Sequence, residues 1–288
     1  MERLAHVDMK KYTSFRAGGF ADEMLIPETI EELQEALKEV KKKERPFLIL
    51  GNGSNTLFKD TGFSGTVIKL GEGLGTIKAE GETLVCGCQA LMSAVAKTAL
   101  ANNLTGFEFA SGIPGSLGGA VFMNAGAYGG EMKNIVEEVT LVSRDGEEVK
   151  TVKGSDLDLS YRHSILEETG EIAVSVRLKL EKGDHEKISS VMSELTKKRN
   201  EKQPVQYPSA GSFFKRPEGY YAGKLVQDAG LKGVSVGGAQ VSELHSGFVI
   251  NKGNATATDI IELMHLVQNI VYDKFQVRLE PEVRIVGD

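Results

Sequence analysis

Ala110–Met132 reads ASGIPGSLGGAVFMNAGAYGGEM. It holds seven glycines and one proline, and carries no charge before Glu131. Glycine gives up more backbone entropy on folding than any other residue, so this density is costly unless the backbone must come close to something. One purpose is to bring bare N–H groups against a ligand, often a phosphate. The other is a run of tight turns between strands. A second cluster, Gly51-Asn-Gly-Ser-Asn55, follows the apolar run Phe47-Leu-Ile-Leu50, which reads as a short buried strand. A strand ending in a turn-rich loop is a good place to hold a ligand. Gly51-x-Gly53 lacks the third glycine of the dinucleotide fingerprint, and no helix pattern follows it. That makes a Rossmann turn a weak reading. No Walker A sequence occurs.

Working outward, Thr29-Ile-Glu-Glu32 is a capping-box sequence. It opens a helix with Ile30, Leu33, Leu37 and Val40 on one face. Short β-type segments separated by glycines run from Val67 to Val85, and Gln89–Asn102 reads as a helix. Strands are predicted at Ile135–Ser143, Glu147–Val152 and Ile172–Leu180. The last alternates, with Ile172, Val174, Val176, Leu178 and Leu180 on one face. His185–Lys202 is a charged helix placed to connect two domains. Tyr207–Lys215 reads as a loop or strand entry, Glu218–Gln227 and Thr258–Phe275 as helices, and Glu282–Val286 as a short strand. In the later helix Ile260, Leu263, Met264, Val267, Ile270 and Val271 form the apolar face, which leaves His265 at the surface. No internal repeat or low-complexity segment is present.

With 288 residues the chain has room for about two domains. Its 41% hydrophobic and 26% charged content is ordinary for a globular protein. Net charge is -6, which argues against a general nucleic-acid surface. The basic run Lys197, Lys198, Arg199 and Lys202 reads as a solvated helix end complementing the dipole. Cys86 and Cys88, two apart on a strand, share a face and form no good disulfide. They read as reduced packing thiols in a cytoplasmic protein. The sequence opens without a signal-peptide pattern, and no window is apolar enough for a membrane span. There is no Ser elbow and no His-Glu-x-x-His, and the five histidines lack metal spacing, so no metal is expected. A bound organic cofactor then becomes the simplest carrier of hard chemistry.

Seven motifs, met in order, resemble the UDP-N-acetylenolpyruvoylglucosamine reductase family. They are Thr13-Ser-Phe-Arg-Ala-Gly-Gly19, Leu50-Gly-Asn-Gly-Ser-Asn55, Gly112-Ile-Pro-Gly-Ser-Leu-Gly-Gly119 and Asn124-Ala-Gly-Ala-Tyr-Gly129. Tyr161-Arg-His-Ser164, Ala210-Gly-Ser-Phe-Phe-Lys-Arg-Pro217 and Leu279-Glu-Pro-Glu-Val-Arg284 complete the set. The resemblance runs nearly end to end. It implies an α+β chain with an FAD-binding fold of the vanillyl-alcohol-oxidase (PCMH) type in two α/β subdomains. A C-terminal α+β domain would bind substrate. The implied boundaries are 1–70, completed by 275–288, then 71–202, then 203–274. Non-covalent FAD would rest against Asn52, Gly53, Ser54 and Asn55, and against Gly112, Ile113, Pro114, Gly115, Ser116, Gly118 and Gly119.

The resemblance also implies the reaction. NADPH reduces the flavin, and hydride then passes to the β-carbon of the enolpyruvyl ether of a UDP sugar. The product, UDP-N-acetylmuramate, serves peptidoglycan synthesis. Charge builds on the substrate carboxylate as an enolate forms, and Arg162 matches the family's arginine for that charge. Glu282 matches the acid beside it and must be protonated to donate a hydrogen bond. Ser212 matches the residue that protonates the α-carbon. Tyr128, Tyr161, Lys215, Arg216, Lys232 and His245 match or lie near positions lining the substrate, and the Lys198–Arg199 pair is a further candidate for its pyrophosphate. No protein partner is implied.

From the residues alone, Arg162 could be a surface ion-pair arginine, Glu282 a strand-edge carboxylate with Glu280 as competitor, and Ser212 a turn hydroxyl. Another FAD oxidoreductase of the same fold, or a non-catalytic nucleotide-binding protein, are the alternative functions. The sequence departs from part of the family in one place. Some members insert a loop carrying a lid tyrosine, and the short span from Arg162 to Ser212 resembles the subtype without it.

Overall fold

The computed structural model describes Met1–Asp288 throughout. The chain separates into two compact units. The first comprises Met1–Leu4, Glu23–Asn52 and Gly65–Arg199, and the second Ala5–Asp22, Gly53–Ser64 and Asn200–Asp288. The division at Arg199 falls within the last turn of the helix His185–Lys202.

The strands Glu2–Asp8 (β1), Phe20–Ile26 (β2), Phe47–Leu50 (β3), Thr56–Phe58 (β4) and Phe63–Lys69 (β5) form the early part of the chain, with helix α1 at Ile30–Lys42. In the first unit β3 pairs in parallel with β5, Phe47 opposite Thr66 through Leu50 opposite Lys69. It is an edge strand, which is why only Leu50 of its four residues is buried rather than the whole run. Leu33, Ala36, Leu37 and Val40 of α1 are buried. Thr29 caps α1 as its sequence predicts, accepting from Glu32 N at 3.2 Å. The reciprocal half of the box differs, because the Glu32 carboxylate reaches past Thr29 to Glu28 N at 2.8 Å.

Two further strands, Ile77–Glu80 (β6) and Thr83–Gly87 (β7), join a five-stranded antiparallel sheet. Its order is 149–153, 136–142, 172–179, β7, β6. The alternation read in Ile172–Leu180 holds from Val174 on, with Val174, Val176, Leu178 and Leu180 buried, but Ala173 is buried beside Ile172 as well. Cys86 and Cys88 are buried free thiols, and burial pushes Cys86 up to about 12. Helix α2 at Met92–Ala101 lies within the predicted Gln89–Asn102, beginning three residues later and ending one earlier. Helix α3 at Leu117–Phe122 sits inside the glycine-rich stretch, with Ser116 as its N-cap.

The second unit holds a four-stranded antiparallel sheet of order 209–212, 248–251, 239–241, 235–236. The helix Ala257–Phe275 packs Ile260, Leu263, Met264, Val267 and Val271 into its core, together with Phe213 and Phe15. His265 is exposed, as expected. The sequence placed a helix at Glu218–Gln227, but it spans Ala222–Asp228. Pro217 and a left-handed Gly219 (φ +74) form a turn that delays it. The strand Arg284–Val286 pairs in parallel with β4.

Candidate active site

The two glycine clusters touch within the first unit. A Cβ on Gly51 would lie 2.5 Å from Ser116 Oγ, so glycine is what lets the end of β3 approach the second loop. In Gly112–Gly119 most N–H groups are already used. Ile113, Gly115, Leu117 and Gly118 donate to Ala110, Ile113, Ala90 and Cys88 carbonyls, and Gly119 to Ser116 Oγ. Gly118 is glycine for packing, since a Cβ there would lie 2.9 Å from Cys88 Cβ. The first cluster behaves differently. None of the N–H groups from Asn52 to Asn55 donates to another group of the protein. Gly53 is buried, and Ser54 and Asn55 are half-buried. Unsatisfied donors in partial burial are costly without an acceptor, and a row of them suits an anion.

Arg162 sits at the tip of a four-residue turn. Ser160 and His163 exchange backbone hydrogen bonds of 3.2 Å each, leaving Tyr161 and Arg162 between them. Arg162 adopts φ +56, unusual for a non-glycine residue, and its guanidinium lies 5.1 Å from the Tyr161 ring centroid. Tyr128 occupies another tip, the Tyr128–Gly129 turn between the paired segments Gly126–Ala127 and Gly130–Glu131. Both tip residues have positive φ (+51 and +88), the signature of a type I′ hairpin. The basic run at the end of the helix His185–Lys202 is only partly the solvated patch expected. Lys198 is exposed and pairs with Glu194, but Arg199 is half-buried against Gly112, and burial lowers its pKa.

In the second unit hydrogen bonds join Gly53 and Asn55 of the first loop to the backbone of Glu282 and to the strand that carries Ser212. Ser212 ends the strand Ser209–Ser212, whose pairing with Phe248–Asn251 slips between Ser209 and Ser212. Gly211, at φ +77, makes the slip, and a bulge of this kind re-aims the residue beside it. Ser212 is exposed. Glu282 N donates to Phe213 O at 2.8 Å, and Lys215 N donates to Glu280 O at 2.8 Å. The side chain of Asn55 donates to Glu282 O at 3.1 Å, and Arg284 N returns a bond to Asn55 O. Ser14 completes the assembly: its hydroxyl donates to Ser209 O at 2.6 Å and its N–H to Gly53 O at 3.1 Å. Reading the sequence did not single out Ser14, and its place in Thr13–Gly19 was the one signal available.

Lys232 and His245 are also in this unit. Burial lowers the His245 pKa, and Lys232 lowers it further. His245 Nδ1 accepts from Gly247 N at 3.1 Å, which leaves Nε2 as the protonated nitrogen. The exposed Arg216 stacks over Tyr221 at 4.6 Å, while Lys215 is half-buried.

Comparison with known proteins gives this geometry a chemistry. A UDP-N-acetylenolpyruvoylglucosamine reductase from Alkaliphilus oremlandii is 52% identical over 97% of this chain and 92% of its own length. The chain belongs to the UDP-N-acetylenolpyruvoylglucosamine reductase family. A second family member, from Caldanaerobacter subterraneus, is 49% identical over the same shares. Residues 203–286 match the model of the family's C-terminal domain, and residues 21–152 match an FAD binding domain. The crystal structure of the Thermus caldophilus family member aligns with a TM-score of 0.85 at 37% identity, covering 99% of this chain and 98% of that one. The fold is therefore the PCMH-type FAD-binding fold with the family's C-terminal domain, and the chain is an FAD-dependent oxidoreductase. The donor row at Asn52–Asn55 fits that cofactor, whose pyrophosphate is the kind of anion such N–H groups accept. No helix is long and apolar enough to cross a membrane.

Proposed function

We propose that Arg162, Ser212 and Glu282 carry the chemistry of this family in this chain. The reaction is the NADPH-dependent reduction of UDP-N-acetylenolpyruvoylglucosamine in peptidoglycan synthesis. When bound, FAD supplies the two-electron step, taking hydride from NADPH and passing it to the enol-ether carbon. The residues holding FAD are Asn52–Asn55 and Gly112–Gly119. The three-part organisation 1–70 with 275–288, 71–202 and 203–274 is the functional division, and the compact units cut across it at 5–22 and 53–64.

The protein's task is to hold charge and move one proton. Negative charge grows on the substrate carboxylate as hydride arrives, and Arg162 meets it with a planar fork that a lysine cannot match. Glu282, protonated, donates to the same developing charge. Ser212 delivers the proton to the α-carbon, with the Lys215 ammonium favouring the serine alkoxide that remains. Lys232 meets the substrate pyrophosphate, and Tyr128, Tyr161, Arg216 and a neutral His245 line the sugar and uridine. The need for NADPH and a UDP sugar places the enzyme in the cytoplasm.

The bond from Glu282 N to Phe213 O carries this reading, because it ties the residue after Ser212 directly to the acid. The test is an anaerobic visible spectrum of the purified holoenzyme, followed through NADPH and then the enolpyruvyl sugar. Bleaching and then full recovery of the oxidised bands is expected. Ser212→Ala should bleach normally and recover orders of magnitude more slowly. Equal recovery in the variant would remove Ser212 from its role.

A further inference from the structure

Asn124 is buried at 1% exposure and lies just beyond α3, in a left-handed conformation at φ +43. Its side chain is fully engaged on three sides. The amide nitrogen donates to Ser160 O and to Glu131 Oε2, both at 3.0 Å, and the amide oxygen accepts from Lys133 N at 2.8 Å. Ser160 is the first residue of the turn that carries Arg162. Four residues on, the fully buried Ser164 donates its hydroxyl to Phe122 O at 2.6 Å. Both flanks of the Arg162 turn are thus fastened to the C-terminal end of α3. The N-terminal end of the same helix is the Ser116–Gly119 segment of the glycine-rich loop.

We propose that Asn124 is the positioning residue for Arg162, acting through the Ser160 carbonyl. The proposal rests on the role given to Arg162 above. Holding α3 and the following hairpin needs only the bonds to Lys133 and Glu131. The bond to Ser160 is directed at the turn: the same carbonyl accepts from His163 N within the turn, and the Asn124 amide ties it to the structure outside the turn. An αL residue at the tip is strained and keeps its geometry only while its surroundings enforce it. A guanidinium displaced by about 1 Å from a developing charge loses on the order of a hundredfold in rate. Asn124 therefore transmits the rigidity of α3 to the one cation set against the substrate carboxylate.

Asn124→Gly deletes the side-chain bonds while keeping the left-handed backbone free of strain. In anaerobic stopped-flow, its flavin should bleach with NADPH within about twofold of the parent rate and reoxidise with the enolpyruvyl sugar about tenfold or more slowly. Asn124→Gly in an Arg162→Ala background should be no slower than Arg162→Ala alone, since both act through one group. In ¹⁵N-labelled enzyme the Arg162 Nε–H resonance, identified by its loss in Arg162→Ala, should shift or broaden. Parent-like reoxidation, or a double variant slowed by the product of the two single effects, overturns the proposal. If Arg162→Ala itself reoxidises normally, the earlier reading of Arg162 falls, and the Arg162 resonance alone decides whether Asn124 positions it. Should Asn124→Gly fail to hold flavin, Ser164→Ala, on the other flank, takes its place with the same readouts and the same deciding outcomes.

Discussion

At the scale of single residues, two glycines with the same backbone conformation separate strain from space. Gly53 (φ +63) sits against the Tyr12 carbonyl, into which any Cβ would drive. Gly211 (φ +77) has nothing within 4 Å of its missing Cβ. Gly211→Ala should cost about 1–2 kcal/mol, the price of a left-handed alanine. Gly53→Ala should cost about 3 kcal/mol or more, because the loop must move as well. Urea denaturation of the two variants checks the ordering, and equal losses would refute the close approach at Gly53. His245 gives a second prediction. Its folded pKa is held below the ordinary value by burial and by Lys232, so the unfolded state takes up a proton first as pH falls. Stability from this residue is thus complete above about pH 6.5 and declines as pH drops through the ordinary histidine range. Its imidazole resonances should titrate below the ordinary histidine range, and Lys232→Gln should move them upward. A His245 that titrates at the ordinary histidine value, unaffected by Lys232→Gln, contradicts the assignment.

At the scale of elements, the helix Ala257–Phe275 is capped twice. Thr256 and Asp259 form a local capping box, which the sequence reading passed over in starting the helix at Thr258. The second cap comes from far away. Asp60 accepts from Ala257 N at 2.9 Å and from Thr258 N and Thr258 Oγ, each at 2.7 Å. Partial burial alone would raise the Asp60 pKa, but these three bonds outweigh it and hold the group below its usual value. The stability it provides is present above the ordinary Asp range and is lost as pH falls through the depressed folded value. Asp60→Ala should cost about 1–2 kcal/mol at neutral pH, and the difference from the parent should shrink in acid. A loss unchanged down to about pH 2 would mean the carboxylate charge is not what caps the helix. The contrast shows where sequence reading stops. α1, the strand Ile172–Lys179 and this long helix each carry their own period, so they were legible. The strand Phe20–Ile26 was not, because Asp22 and Glu23 break its alternation. Asp60, Ser14 and Asn124 act on partners 197, 195 and 36 residues away, and spacing along the chain holds no trace of such pairings. The candidate site was legible chiefly through its motifs. The bulge at Gly211 and the bond from Asn55 to Glu282 needed coordinates, because they depend on which backbone lies alongside which.

At the scale of the whole molecule, chain order and compactness disagree. The second unit is built from three segments, and its core cannot be completed by the last of them alone. Phe15, Ala17 and Leu57 are fully buried in that core beside Phe213, Ile260 and Leu263. Phe15 meets Phe213 edge-on with ring centroids 6.2 Å apart, and Asn251 in the central sheet donates to Phe15 O at 3.0 Å. The strand Arg284–Val286 finds its only strand partner in β4. A fragment of residues 200–288 would therefore expose the apolar faces that Phe15 and Leu57 cover, leave the Asn251 amide without its acceptor, and free one edge of its last strand. Buried polar groups left unpaired cost about 1–3 kcal/mol each. Losing an aromatic from a packed core costs about 3–5 kcal/mol. Together these approach the whole stability of a domain. The fragment should give a collapsed ¹H–¹⁵N spectrum and no cooperative melt, although it holds most of the unit's residues. Phe15→Ala in the full chain should lower stability by about 3–5 kcal/mol. A dispersed spectrum from the fragment would show that the N-terminal segments decorate this core rather than build it.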